Sequence, residues 1–345
     1  MKAPVRVRTF AALAVSLAFF AAQGATAQSL TPAKIQAALD DAYNTYKDSK
    51  GGANADYIPA LAKVDPKIYG IALVTPDGKV YTAGDVKSEV SIQSISKVFT
   101  MAKVVEELGP KSIVERIGVD ATGMRFNSIV SIEVAQKELG GPEINPLVNP
   151  GAITTTSMVT GKTRAEVWNK ILTYHSDFAG RTLAVNKPVF DSEAATNQRN
   201  QAIGALMFAY GFIKTDWAQA VDVYTEQCAI NVNARDLAVM AGTLANAGKN
   251  PVTGKQVMKA ANVPGVLAVM ATAGLYDDSG KWLYRTGLPA KSGVGGGIIA
   301  VSPGKFGIAV ISPPLDAAGN SVKAQLAIER ISNALGGNPY APSKM

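Results

Sequence analysis

Ser91-Ile92-Gln93-Ser94-Ile95-Ser96-Lys97-Val98-Phe99-Thr100 places a hydroxyl and an amine at a helical spacing. Ser94 and Lys97 are three residues apart, and positions i and i+3 share a face of an α-helix, so the amine comes within reach of the hydroxyl if the helix begins near Ser94. The N-terminus of such a helix also favours an oxyanion. Val98, Phe99, Met101, Ala102, Val104, Val105 and Leu108 then make the segment apolar on nearly every side, which describes a helix buried inside a domain. A lysine there is desolvated, desolvation favours the neutral amine, and a neutral amine near pH 7 takes a proton from serine. Taken alone, S-x-x-K is a common spacing; its meaning depends on the rest of the chain.

The chain opens on Lys2, Arg6 and Arg8, an apolar run from Phe10 to Ala22, and Ala25-Thr26-Ala27 before Gln28. This is the pattern of a secretory signal peptide, residues 1–27, with cleavage expected after Ala27 and a periplasmic or secreted product. The run is too short for a membrane span, so no membrane association is expected after cleavage. Removing 27 of the 345 residues leaves 318 and lowers the formal charge from +7 to +4, enough chain for one large domain or two closely packed ones. The basic residues are scattered with no aromatic-basic stripe, which gives no case for nucleic acid. Cys228 is the single cysteine and His175 the single histidine. That excludes an internal disulfide, a His-based metal cluster and a Cys-Cys zinc site, so no metal and no cofactor is expected. A Ser-His-Asp triad would have to use His175, in Tyr174-His175-Ser176-Asp177, where a solvated helix or loop histidine is the simpler reading. An activated serine here therefore relies on lysine or tyrosine.

Taken in order, Thr31-Pro32 starts a helix, with threonine capping and proline in the first turn. Ile35, Leu39, Ala42, Tyr43 and Tyr46 mark its apolar face, and Gly51-Gly52 is expected to end it. The segment Asp56-Tyr57-Ile58-Pro59-Ala60-Leu61 is non-repetitive. Tyr69 to Thr75 and Lys79 to Ala83, joined by Pro76-Asp77-Gly78, read as an antiparallel pair of strands. The buried helix follows and stops at Gly109-Pro110. From about Pro110 to about Ala271 helices are predicted over Lys111 to Ile117, Ser131 to Leu139, Thr163 to Tyr174, Glu193 to Tyr210, Thr215 to Cys228, Ala234 to Asn246 and Val263 to Ala273. Strands return at Gly297 to Ser302 and Phe306 to Ser312, a second hairpin around Pro303-Gly304-Lys305, and a helix over about Ser321 to Leu335 closes the chain. The expected fold is α/β in the α+β sense: a mainly antiparallel sheet from residues 28–109 and 272–345, flanked by helices, with a helical region over 110–271 inserted and a cleft between the two as the default site.

Lys291-Ser292-Gly293-Val294-Gly295-Gly296-Gly297 precedes the first strand of that second hairpin. At a strand edge it can offer a substrate a cation, a hydroxyl and an unhindered backbone N–H; alternatively it is a glycine-rich turn with an exposed lysine. Its glycines do not fit a dinucleotide fingerprint, because Ile298 stands where the third glycine belongs and a strand follows.

S-x-x-K on a buried helix followed by K-S/T-G on a sheet edge resembles the penicillin-binding proteins and serine β-lactamases. Within that superfamily the chain is more closely similar to the serine-dependent glutaminases. The shared blocks are Asp56-Tyr57-Ile58-Pro59, Gln93-Ser94-Ile95-Ser96-Lys97, Asn145-Pro146-Leu147-Val148-Asn149 with Gly151-Ala152-Ile153, Ser192-Glu193 with Arg199-Asn200, Tyr224-Thr225-Glu226-Gln227-Cys228, Tyr276-Asp277 before Ser279-Gly280, and Gly287 to Val294. The resemblance implies a β-lactamase-like fold and hydrolysis of L-glutamine to L-glutamate and ammonia through a glutamyl-serine ester. It implies Ser94 as nucleophile, Lys97 as its base, Tyr276 as proton relay, and the Ser94 and Val294 backbone N–H groups as oxyanion hole. Tyr57, Asn149, Glu193, Asn200 and Tyr224 would hold the α-amino and α-carboxylate groups, Glu193 facing the ammonium, with Gln93, Lys291 and Ser292 in support. A homodimer or homotetramer is also implied.

There are departures. Pro150 follows Asn149 where many relatives have alanine, and a signal peptide is unusual for a family whose bacterial members are commonly cytoplasmic. Export favours a second reading, a periplasmic penicillin-recognising acyltransferase or β-lactamase, but its Ser-Asp-Asn element is missing. A third, an exported amino-acid-binding protein without turnover, is opposed by the intact Ser94 and Lys97.

Overall fold

Two hairpins far apart in the chain join into one sheet in the computed structural model, which describes residues 30–137, 141 and 143–341. The signal-like segment over 1–27, the last two residues of the helix expected to reach Leu139, and 342–345 lie outside the described residues. The strands are β1 (Gly70–Val74), β2 (Val80–Gly84), β3 (Val90–Ser91), β4 (Asn231–Val232), β5 (Ala290–Gly293), β6 (Gly297–Ser302) and β7 (Phe306–Ile311). Five of them form an antiparallel sheet in the order β2-β1-β7-β6-β5, with Ile71 opposite Val310 and Val310 opposite Ile298. Chain ends thus meet at the sheet centre, and Lys291-Ser292-Gly293 lies on its edge strand. The pair β3–β4 was not anticipated, because two residues are too short to show alternation.

Helices are α1 (Pro32–Tyr46), α2 (Pro59–Ala62), α3 (Ser96–Leu108), α4 (Lys111–Arg116), α5 (Val130–Lys137), α6 (Asn149–Met158) and α7 (Arg164–Ala179). They continue as α8 (Lys187–Ala194), α9 (Gln198–Ala209), α10 (Trp217–Cys228), α11 (Ala234–Ala245), α12 (Val263–Ala273), α13 (Ser279–Thr286) and α14 (Val322–Leu335). Residues 30–341 cluster together as one unit.

Strand side chains alternate between two cores. Ile71, Leu73, Ile298, Ala300, Ile308 and Val310 pack with Ile35 and Leu39 of α1 and Ile328 and Ile331 of α14. Ala72, Val74, Ile299, Val301, Ala309 and Ile311 face the other way, into a core with α3, α7, α10 and α11. β1, β6 and β7 are fully covered on both faces, which is why they read as continuous apolar runs. α11 lies flush on the sheet because both surfaces are small: a Cβ on Gly307 would stand 2.0 Å from the Gly242 nitrogen.

Four expectations about local structure are corrected. Thr31 caps α1 through its side chain, as read, but the helix ends at Tyr46 rather than at Gly51-Gly52. The helix expected over Glu193 to Tyr210 is two helices, α8 and α9. Thr196 Oγ1 donates back to Ser192 O at 3.0 Å and Asn197 Nδ2 donates to Thr225 Oγ1 at 3.0 Å, the competition with the backbone ladder by which such residues break helices. α6 was missed: it is buried throughout, so no amphipathic period marks it, and its threonine run has weak helix propensity. Thr154, Thr155 and Thr156 each donate a hydroxyl to the carbonyl four residues back, at 2.9, 2.7 and 2.9 Å. Finally, His175 is not solvated but fully buried. Its Nδ1 lies 2.8 Å from Ile171 O, its Nε2 3.3 Å from Ser96 O, and its ring meets Phe99 edge-on. Burial lowers its pKa to about 4.

Candidate active site

Ser94 occupies a 3-10 turn, Gln93–Ile95, that leads directly into α3. The turn is entered through Gln93 at φ +48°, a left-handed conformation uncommon for a residue with a side chain. Gln93 is held there from its far end: its Nε2 donates to Ser91 Oγ at 3.1 Å and to Glu193 Oε2 at 3.2 Å. β5 comes very close to this turn. A Cβ on Gly293 would stand 2.7 Å from Ile92 O and 3.4 Å from the Gln93 Cβ, so glycine there is what lets Val294 approach Ser94.

One turn along, Lys97 is 1% exposed. Burial lowers its pKa to about 8, and its Nζ donates to Asn149 Oδ1 at 2.6 Å. The Tyr224 hydroxyl donates to the same oxygen at 3.1 Å, and its ring centroid lies 5.7 Å from Lys97 Nζ. Asn149 Nδ2 in turn donates to Asn200 Oδ1 at 2.9 Å. Asn149 is therefore not a helix cap: it is the first residue of α6 and spends its side chain on Lys97, Tyr224 and Asn200.

Tyr276 begins a 3-10 turn, Tyr276–Asp278, at φ +56°. Its hydroxyl donates to Ser292 O at 3.4 Å, with the Ser94 side chain nearby. Burial raises the phenol to about 12, Ser94 opposing that shift. Phe126 packs against the ring at 4.9 Å between centroids.

Glu193 lies at the end of α8, not in the first turn of a helix, and is 7% exposed. Burial raises its pKa to about 7, against the pull of the Gln93 amide and the Lys97 charge.

Most of these groups, but not Lys97 or Tyr276, line a cavity of about 270 Å³, at the small end of the roughly 300–1,000 Å³ typical of drug-sized ligands. Tyr57, Gln93, Ser94, Asn149, Glu193, Asn200, Tyr224 and Val294 line it. Tyr57 stands at the rim, 55% exposed. Lys97 sits just behind the wall, tied to Asn149. A wider surface hollow of about 450 Å³ near Arg181 and Lys255 contains none of these residues. Its charged side chains are already engaged, Arg181 with Asp236 and Glu89 and Lys255 with Asp177.

Two expectations about the edge strand change. Lys291 is neither exposed nor a cation presented to a substrate: it is completely buried and lines no part of the cavity, and neither does Ser292. Lys291 Nζ donates to Gly274 O at 2.9 Å and Ser292 O at 2.7 Å.

Phe126, Asn127, Thr196, Asn197, Arg199 and Cys228 also line the cavity and were not foreseen. Cys228 stands four residues after Tyr224 on α10, a spacing that puts both on one face and was legible. Arg199 precedes Asn200 in a quoted block; its Nε donates to Asn127 O at 2.8 Å. Phe126 and Asn127 belong to a connection without regular structure, and nothing in the sequence signals their position.

Comparisons with known proteins agree with this geometry. The sequence model of the family described as Glutaminase matches residues 52–340. A glutaminase of Colwellia psychrerythraea is 52% identical over 306 residues, covering 89% of this chain and 97% of that protein. A solved structure, titled as the probable glutaminase ybaS, superposes with a TM-score of 0.88 at 45% identity over 91% of this chain and all of that one. A probable glutaminase from Bacillus subtilis, solved with 6-diazo-5-oxo-L-norleucine, gives a TM-score of 0.76 at 28% identity, covering 89% and 95%.

Proposed function

The chain belongs to the glutaminase family and hydrolyses glutamine to glutamate, and from that premise we propose that it does so through a glutamyl ester on Ser94. The observation that supports this reading is that Ser94 and Glu193 line one small cavity, with Lys97 bonded to Asn149 of its wall and Tyr276 beside Ser94, and that burial lowers the amine and raises the phenol in directions that suit a base and an acid.

Lys97 at about 8 and Tyr276 at about 12 divide the proton work. The amine is the base of the pair at neutral to mildly alkaline pH, and the phenol stays protonated throughout that range, which makes it the acid. Ser94 Oγ attacks the side-chain amide carbon of glutamine while its proton passes to the Lys97 amine. The oxygen that gains charge is taken up by the Ser94 and Val294 backbone N–H groups. As the carbon–nitrogen bond breaks, the Tyr276 hydroxyl protonates the departing nitrogen to ammonia, and the Lys97 ammonium returns a proton to the resulting phenolate. Water then attacks the ester by the reverse route, and glutamate leaves.

At the other end of the cavity Glu193 receives the α-ammonium of the substrate, whose charge holds the carboxyl ionised on binding. Asn200, Asn149, Tyr224 and Tyr57 supply the fixed donors and acceptors that a zwitterion needs. Gln93 ties the two ends together through its bond to Glu193. Family membership sets aside the penicillin-recognising and turnover-free alternatives.

The test is rapid acid quench of the enzyme turning over glutamine, followed by peptide mass spectrometry. A glutamyl adduct is expected on the Ser94 peptide, together with ammonia release by the purified chain. An adduct elsewhere, or full turnover without any adduct, would remove Ser94 from this role. We also take residues 1–27 to direct export to the periplasm, which N-terminal sequencing of protein from a periplasmic extract checks through a start at Gln28. By resemblance we take the assembly to be a homodimer or homotetramer, to be weighed by light scattering.

A further inference from the structure

Lys291 is a fully buried lysine that the mechanism above does not use. Among the described residues it has no carboxylate partner, and both its burial and the nearby Lys97 charge push its pKa well down. An ammonium in that position is costly to keep, so its surroundings have to favour it.

Those surroundings are specific. An ammonium has three N–H donors and no acceptor. Here two reach carbonyl oxygens, Gly274 O at 2.9 Å and Ser292 O at 2.7 Å, and the third side is covered by the ring of Tyr276, with Nζ 4.1 Å from its centroid. A neutral amine would turn a lone pair toward one of three electron-rich partners. The constellation is therefore complementary to the cation, and all three partners belong to the placement of one residue. Gly274 enters the Tyr276 turn, Ser292 O accepts from the Tyr276 hydroxyl, and the ring is Tyr276 itself. Tyr276 also holds φ +56°, a backbone conformation that a bulky residue keeps only when its surroundings impose it.

We infer that Lys291 is a positioning residue for Tyr276: its ammonium clamps the turn, the ring and the acceptor of the hydroxyl together, and places positive charge beneath the ring of the proton donor. Lys291 touches no substrate. It acts by keeping the phenol aimed at Ser94 and by favouring release of its proton to the leaving nitrogen, through the attraction of a cation for an aromatic face. This rests on the reading of Tyr276 as the acid of the reaction.

The test is a double-variant cycle on the full chain with K291M, Y276F and the two combined, measuring kcat and KM for glutamine and Tm. K291M is expected to lower kcat roughly 30- to 100-fold with KM changed less than about threefold, while Tm holds or rises because an unpaired buried charge has gone. In the Y276F background K291M is expected to cost no more than about threefold further, since the two act through one hydroxyl. A folded K291M with wild-type kcat beside a crippled Y276F overturns this proposal alone, as do losses that multiply in the combined variant. A Y276F enzyme with wild-type kcat overturns the reading of Tyr276 and this proposal with it. Should K291M not fold, K291R decides: its planar fork cannot cap two carbonyls and a ring face together, so kcat falls at near-constant KM if the clamp matters and stays if it does not.

Discussion

At the end of the cavity that holds Ser94, the side chains hang on the shortest and most constrained pieces of backbone: a three-residue turn with Gln93 at φ +48°, a second with Tyr276 at φ +56°, and the edge strand β5. At the end that holds Glu193, they come mainly from ordinary helices, Asn149 on α6, Glu193 on α8, Asn200 on α9 and Tyr224 on α10, with Tyr57 on the segment before α2. Both ends are buried, yet burial acts on them in opposite senses. It discharges the Lys97 amine toward 8 and protonates the Glu193 carboxyl toward 7. The first suits the base proposed for Lys97; the second suits a carboxyl that regains its charge when the proposed ammonium arrives. The reaction end therefore depends on geometry within a few tenths of an ångström, and the recognition end on charge complementarity.

That contrast is broken most severely at Ser94. Ser94→Ala is expected to lower kcat by at least about 10⁴-fold with Tm essentially unchanged, measured as ammonia release; a variant keeping a tenth of the wild-type rate would deny the reaction end its nucleophile. Lys97→Met comes next, with kcat down about 10³-fold and the rise of kcat with pH near 8 abolished; a surviving break near 8 would assign that titration to another group. Glu193→Gln tests the opposite end. It is expected to raise KM for glutamine by about 30-fold or more, the cost of facing an ammonium with an amide, while kcat moves only a few-fold. A loss confined to kcat would mean the two ends are not separable.

The pH profile sharpens the same division. Productive encounter needs Glu193 ionised and Lys97 neutral, and both conditions are met on the alkaline side. kcat/KM should therefore climb with pH, most steeply below 7 where both groups are in the wrong state and less steeply between 7 and 8, then level. In Glu193→Gln the lower break should vanish and the upper remain. The smallest effect is expected at His175, which props the backbone of α3 from behind through Ser96 O. Its folded pKa, about 4, lies below the unfolded value of 6.5, so on acidification the unfolded chain takes up this proton first. The resulting stability loss is absent above pH 6.5 and grows as pH falls toward 4, to roughly 2 kcal/mol at pH 5. Glu193, with its raised pKa, works in the opposite direction over the same range, so the comparison is between His175→Gln and wild type: the variant should lose less Tm between pH 6.5 and 5 while kcat changes less than about threefold.

The Ser94–Lys97 pair, the two hairpins and the capped first helix were legible because each is a local pattern: an i to i+3 spacing, strand-turn-strand, threonine before proline. The residues proposed to bind substrate could be singled out only through blocks shared with a family, since an asparagine before a proline or a tyrosine on a helix has no chemical meaning by itself. The failures share a cause as well. α6 and His175 were misread because burial on all sides erases the periodicity that sequence reading depends on, and the break between α8 and α9 because Asn197 bonds to Thr225, which only the folded chain brings near.

What the sequence by itself determined was the set of groups available: with one histidine and one cysteine, an activated serine has to rely on lysine or tyrosine, and the reaction was implied by the blocks shared with the glutaminase family. Tertiary structure alone decided what the two lysines meet. Lys97 and Lys291 are both buried, but one points at Asn149 beside the cavity and the other closes under the ring of Tyr276. Spacing along a chain places a side chain on a face; which partners meet its charge is fixed only when distant segments pack around it.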